Sequence, residues 1–165
     1  FNMRDVHLAP TPTDNIPTFA YAGVFYQDIR NPEFLFKHLC TLTEDFRFHV
    51  YLRHRDPHIT SILNKYQQQL GEKLIIHYSV ERTELLYQLS ECNFLINISN
   101  TTSTQLPSKL IDYGITRRPV YSFDKQSFKP QVFDAFMHSD YTHAMEIDIR
   151  PYDIEVVTKQ FIELV

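Results

Sequence analysis

The sequence predicts an α/β fold: a three-layer, Rossmann-like domain with a mainly parallel sheet of five to six strands. Three observations predict it. Short continuous apolar runs alternate five times with amphipathic stretches of helical period. The runs are near-continuously apolar rather than alternating, as strands covered by helices on both faces are. Pro, Asn and Gly fall between the segments, where chain reversals need them. The 165 residues, 43% hydrophobic and 14% aromatic, suffice for one buried core and exclude intrinsic disorder.

Residues 1–17 carry three prolines without periodicity and read as a linker or extended arm, leaving 18–165 as the domain proper. The run at 18–26, ending near Gly23, is the first strand. Asn31-Pro32-Glu33 then supplies a cap and a proline at the first helical position. Leu35, Phe36, Leu39, Cys40 and Leu42 give the helix its apolar stripe. Residues 46–53 form a second strand, 59–69 a helix stopped by Gly71, and 74–78 a third strand. A helix over 83–92 presents Leu85, Leu86, Leu89 and Cys92 on one face. Strands at 94–98 and 119–123 flank a helix starting near Pro107. Residues 132–137 and 154–164 look helical, with a weak strand near 144–147.

A net charge of -4 and a pI near 6.0 argue against a nucleic-acid partner held by a basic surface. Cys40 and Cys92 cannot build a disulfide framework and read as small buried thiols in a reducing cytoplasm. No apolar run approaches the ~20 residues of a membrane span. The sequons at Asn97 and Asn100 are chance matches in that compartment. Pro57 separates His54 from His58, and His138 and His143 straddle a turn, so no metal site is expected. Only three glycines occur, Gly23, Gly71 and Gly114, which excludes a glycine-rich phosphate loop. The chain begins at Phe1 without Met and is expected to be part of something longer.

Parallel sheets bind ligands beyond the carboxyl ends of their strands, here the loops after Gly23, Arg53, Tyr78 and Ile98. The richest of these is Ser99-Asn-Thr-Thr-Ser-Thr-Gln-Leu-Pro-Ser-Lys-Leu-Ile-Asp-Tyr-Gly114. On a helix of about 100° per residue, Leu106, Leu110 and Tyr113 form the packing side. Ser108, Lys109 and Asp112 are expected on the opposite side. The helix start attracts phosphate, Ser108 adds a hydroxyl, and Lys109 adds a mobile cation. Asp112, one turn deeper, can accept hydrogen bonds from sugar hydroxyls. Ordinary capping and a solvated surface account for the same three residues.

Leu106-Pro-Ser-Lys-Leu-Ile-Asp-Tyr-Gly-Ile-Thr-Arg-Arg-Pro-Val120 resembles the proline-serine-lysine helix and following strand of the GT-B glycosyltransferases. The likeness is to the group-1 family, also called family 4, in its carboxy-terminal, nucleotide-sugar-binding domain. The first strand with Gly23 and Arg30-Asn-Pro-Glu33, the Glu84-Leu-Leu helix and Cys92-Asn-Phe-Leu-Ile96 are compatible with it. The resemblance implies one half of a GT-B fold that binds a nucleotide-diphosphate sugar. The acceptor domain, with any acceptor-activating base, would lie amino-terminal to this chain. It also implies no resident cofactor and no required metal, a cytoplasmic location and a full-length protein peripheral to a membrane.

Carried over by position, Ser108, Lys109, Arg30 and Gly23 would address the donor diphosphate, and Asp112 the ribose. Ser79, Val80 and Glu81 would meet the base, largely through backbone groups. Two departures stand out. The family's pair of glutamates with seven residues between them is here Thr104, in the donor-sugar loop, and the shorter Asp112. A second cation early in the first helix has only Lys37 as candidate. A non-catalytic domain of the same fold and part of a nucleotide-sugar epimerase remain alternatives. The isolated domain is expected to be inactive.

Overall fold

Strands form where the apolar runs lie: β1 (Thr18–Ala22), β2 (Arg47–Leu52), β3 (Leu74–Tyr78), β4 (Phe94–Ile98) and β5 (Val120–Phe123). Their Phe, Tyr, Ile and Val content suits a pleated surface buried on both sides. The structure is a computed structural model that describes residues 6–26, 30–99, 108–154 and 158. All strand pairs are parallel, in the order β3-β2-β1-β4-β5. The helices are α1 (Glu33–Leu39), α2 (Pro57–Leu70), α3 (Arg82–Ser90), α4 (Ser108–Thr116) and α5 (Pro130–Met137).

The chain winds outward from β1 to β3, then returns to lay β4 on the other side of β1. Right-handed crossovers then put the helices of the two halves on opposite faces. Phe19, Tyr21, Phe48, Val50, Phe94 and Ile96 pack with residues of α1, α2 and α5. Ala20, Ala22, Tyr51 and Leu95 pack with Leu89 of α3 and with Leu110 and Tyr113 of α4. The first face is crowded with aromatics around Phe19, whose ring stacks on Phe48 at 4.8 Å and Phe94 at 4.9 Å and meets Phe133 edge-on at 5.4 Å. The second face has alanines on β1, so α4 can lie close over that strand.

Several expectations are refined. Pro32, rather than Asn31, is the cap residue of α1, while the Asn31 carboxamide accepts the Glu33 N–H at 2.9 Å. Pro57 does not break α2 but opens it, with Asp56 accepting the Ile59 N–H at 2.9 Å. Cys92 is buried, but Cys40 is exposed just past the end of α1, because the helix stops at Leu39. The weak strand expected near 144–147 is absent: Met145 donates one backbone hydrogen bond to Val120 at 2.8 Å, and the described residues form five strands. The helix expected over 154–164 falls mostly outside the described residues. Asn97 is buried in β4 and donates to Ser122 Oγ at 2.8 Å, which closes that sequon. Among the described residues no helix is long and apolar enough to cross a membrane.

The arm is laid across the domain. Ala9 donates its N–H to Ser90 Oγ at 2.7 Å, and Arg118 links the carbonyls of Ser90, Ala9 and Pro10 at 2.7, 3.4 and 3.2 Å. Farther along, Arg47 pairs with Asp14 at 2.6 Å.

On the α3 side of β2 and β3, His49 Nδ1 and His77 Nε2 share a proton at 2.9 Å, with the two rings stacked. Burial pushes His49 down to about 4, helped by positive charge on His77 and Arg47, and burial lowers His77 as well. The unfolded chain therefore takes up protons between about 6.5 and 4 that the native state refuses, so stability falls as pH drops through that window. Denaturant melts from pH 7 to 4 should show a shallower loss in His49→Phe than in the wild type. Equal slopes would assign the acid sensitivity to other groups.

Candidate functional site

The site lies where β1 and β4 part. Their pairing covers only Phe19↔Phe94 and Ala20↔Leu95, after which the two strands lead away to opposite halves of the sheet. Such a split leaves backbone groups without ladder partners and opens a crevice at the strands' carboxyl ends. The Tyr113 hydroxyl of α4 fills the gap. It accepts the Ala22 N–H at 2.8 Å and donates to the Ile96 carbonyl at 3.0 Å, nearer than the Ala22 carbonyl at 3.4 Å. Burial holds the phenol well above its ordinary value, so it stays protonated and keeps its donor.

Lys109 stands four residues before Tyr113 and so shares its helix face. This corrects the expectation that Lys109 is a mobile cation opposite the packing side. Its Nζ is buried without a hydrogen-bond partner among the described residues and lies 5.0 Å from the centre of the Tyr21 ring. Tyr21 belongs to the opposite core layer, so the lysine reaches through the crevice. Burial pushes the ammonium down to about 7, and the nearby Arg30 guanidinium pushes in the same direction.

Gly23 explains how Tyr21 can sit there. Its φ of 155° lies where side chains are disfavoured, and a Cβ would meet the Tyr21 hydroxyl oxygen at 3.0 Å. The phenol turns back to donate to the Val24 carbonyl at 2.9 Å and stacks on Phe25 at 4.4 Å. Arg30 lies on the same side of the site, its guanidinium 5.8 Å from the Tyr26 ring centre and its N–H on the Tyr26 carbonyl at 3.2 Å. Lys37 is exposed in the last turn of α1, on the wrong end of that helix to join them.

The remaining expected residues are placed as follows. Ser108 is exposed at the start of α4. Asp112 is bound by Arg82 of α3, whose Nε and terminal nitrogen donate to Oδ1 at 3.1 and 2.6 Å. Ser79 adopts a left-handed φ of 55° and donates its hydroxyl to the Arg53 carbonyl at 3.1 Å. Val80 packs against the α3–α4 core. The Glu81 carboxylate caps α3 by accepting the Thr83 and Glu84 N–H groups at 2.8 and 3.4 Å. The Thr83 N–H foremost holds that carboxyl below the usual range, so the side chain is committed to the helix. Thr104 lies outside the described residues. No group of three or more metal-ligating side chains is assembled among the described residues.

Three participants escaped sequence reasoning. Tyr113 read as a packing residue and Tyr21 and Arg82 drew no notice, because each acquires its contacts from another element. The i, i+4 relation of Lys109 to Tyr113 was the available signal for the lysine's burial.

Tyr113→Phe keeps the ring but strips the split of its bridge, leaving a buried N–H and a carbonyl without that partner. It should cost about 1–3 kcal/mol of stability, read from denaturant midpoints at constant m-value. A loss under ~0.5 kcal/mol would mean the strands can satisfy each other there.

No protein-family model and no curated protein matches the chain. Solved structures do share its fold. The lipopolysaccharide outer core galactosyltransferase WaaB, in its apo form, aligns with 99% of this chain and 52% of its own at a TM-score of 0.59 and 16% identity. HepE from Anabaena, solved in complex with UDP-glucose, aligns with 91% of this chain and 48% of its own at 0.62 and 9% identity. TarM aligns with 97% of this chain and 37% of its own at 0.59 and 13% identity. The chain thus spans about half, or less, of the length of these proteins. Parallel sheet, reversed strand order and these alignments together show that the domain has the fold of one half of the GT-B architecture.

Proposed function

We propose that the crevice between β1 and β4 binds the diphosphate of a nucleotide-sugar donor, for transfer of the sugar to an acceptor held by another domain. The observation that carries this reading is Lys109: a buried Nζ with no hydrogen-bond partner among the described residues, over Tyr21 and near Arg30. A buried cation without an acceptor is costly, and a bound anion removes the cost. Arg30 adds a second positive charge, and the α4 start at Ser108 adds backbone N–H groups and a hydroxyl. Asp112 is one turn along the helix, suited to a ribose hydroxyl. HepE, a neighbour in fold, was solved with UDP-glucose, which supports a ligand of this class.

Glycosyl transfer leaves negative charge on the departing diphosphate. In this reading Lys109 and Arg30 neutralise it in place of a resident metal, and nucleotide binding withstands EDTA. The acceptor domain, a hexosyl donor and a peripheral membrane association belong to the same proposal for the whole protein.

Titration with UDP, GDP and ADP tests it. At least one should saturate, and Lys109→Met should weaken it at least tenfold, the worth of one charge-assisted hydrogen bond. Failure of all three, or an unaffected Lys109→Met, refutes donor binding at this crevice.

The same lysine makes a pH prediction. Its native value near 7 is depressed, so the ligand-free protein is penalised most below pH 7, and the penalty fades as pH rises toward 10.5. Lys109→Met should therefore melt higher than wild type at pH 6, with the gap closing as pH rises. Nucleotide affinity should fall above pH 7 in the wild type, because the anion selects the charged form. Lys109→Arg should bind with a flat profile from pH 6 to 9. A sloping Lys109→Arg profile would place the titration elsewhere.

A further inference from the structure

Arg82 has no part in the proposed diphosphate contacts, yet it is the residue that orders Asp112. It is the first residue of α3, immediately after the loop of Ser79, Val80 and Glu81, and it crosses to α4 to reach the carboxylate. Both of its hydrogen bonds, at 3.1 and 2.6 Å, fall on Oδ1. Oδ2 takes none from any described residue. The carboxylate is thus clamped by one oxygen and left with acceptor capacity on the other. Asp112 is about a quarter exposed and Arg82 about half, so the pair can be reached by a ligand.

We propose that Arg82 is a positioning residue that sets the ribose specificity of the donor site: it holds Asp112 so that Oδ2 accepts from the ribose diol. This rests on the donor-binding reading above. Two arguments support it. An aspartate is short, and a short carboxylate discriminates hydroxyls only if its direction is fixed. The guanidinium also offsets the carboxylate's charge, so an acceptor can stand one turn from a diphosphate site without repelling it. Left alone, Asp112 would rotate freely and oppose the anion.

The test compares a ribonucleoside diphosphate that binds with its 2′,3′-dideoxy counterpart, in wild type, Arg82→Ala, Arg82→Lys and Asp112→Ala. Wild type should favour the ribo form by roughly tenfold, the scale of one hydrogen bond to a charged group. Arg82→Ala should bring the two within about threefold, chiefly by weakening the ribo form, and Arg82→Lys should restore part of the ratio. In the Asp112→Ala background, Arg82→Ala should leave the ratio unchanged. Melting temperatures should barely move, since exposed ion pairs contribute little to stability. An unchanged ratio in Arg82→Ala, or an equal loss for both nucleotides, overturns the positioning role alone. Absence of any nucleotide binding by wild type overturns the donor reading, and this inference with it.

Discussion

The hydroxyl of Tyr113 is the contact on which the site depends. A doubly wound sheet must break its ladder where the chain reverses direction, and the break exposes backbone donors and acceptors to the core. Here one phenol answers both sides of the split, taking the Ala22 N–H and giving to the Ile96 carbonyl. Because Tyr113 belongs to α4, satisfying the backbone also fixes that helix over the crevice. Ala20 and Ala22 let the helix approach, since larger residues on that face of β1 would hold it off. Everything the helix carries is placed by this docking.

Lys109 is the consequence. One turn from Tyr113 on the same face, it cannot avoid being carried into the gap. The Tyr21 ring gives it a favourable surface, but ring contact does not replace hydration. The domain therefore holds a buried charge that its fold does not need. The aromatic layer around Phe19 sits on the far side of the same strand and supplies the burial that tolerates the cost. Burial is concentrated on one face of β1, and the buried lysine stands at its carboxyl end. Gly23 joins the two, because only a residue without Cβ lets Tyr21 fold back beneath the lysine.

Much of this was legible in the sequence, and the division follows physical lines. Strand and helix positions emerged from near-continuous apolar runs and from turn chemistry at Asn31-Pro32, Pro57 and Gly71, which are local signals. The weak strand near 144–147 failed because a strand needs a partner ladder, and Met145 finds a single bond. Cys40 was expected inside a helix that ends one residue earlier. The Ser108-Lys109-Asp112 segment was recognisable as a helix start, but its three side chains do not share one side. The structure sends Lys109 into the crevice, Asp112 to Arg82 and Ser108 to solvent. Pairings such as Arg82 with Asp112 join residues thirty apart on different helices, and no local pattern records them.

The charge arrangement follows from the same geometry. The chain is acidic overall, yet its crevice brings Lys109 and Arg30 together, while the carboxylates of Glu81 and Asp112 are occupied elsewhere. Glu81 is spent on the amino terminus of α3, and Asp112 shares its charge with Arg82. A field of this kind does not require a basic protein, because a low-dielectric cleft weights the few charges inside it above the many in solvent. It does require that each acid near the cleft be answered locally. Asp112 is paired by Arg82, and Glu81 is taken up by the helix amides. Arg82 thereby fixes the direction of the short Asp112 carboxylate through one of its two oxygens.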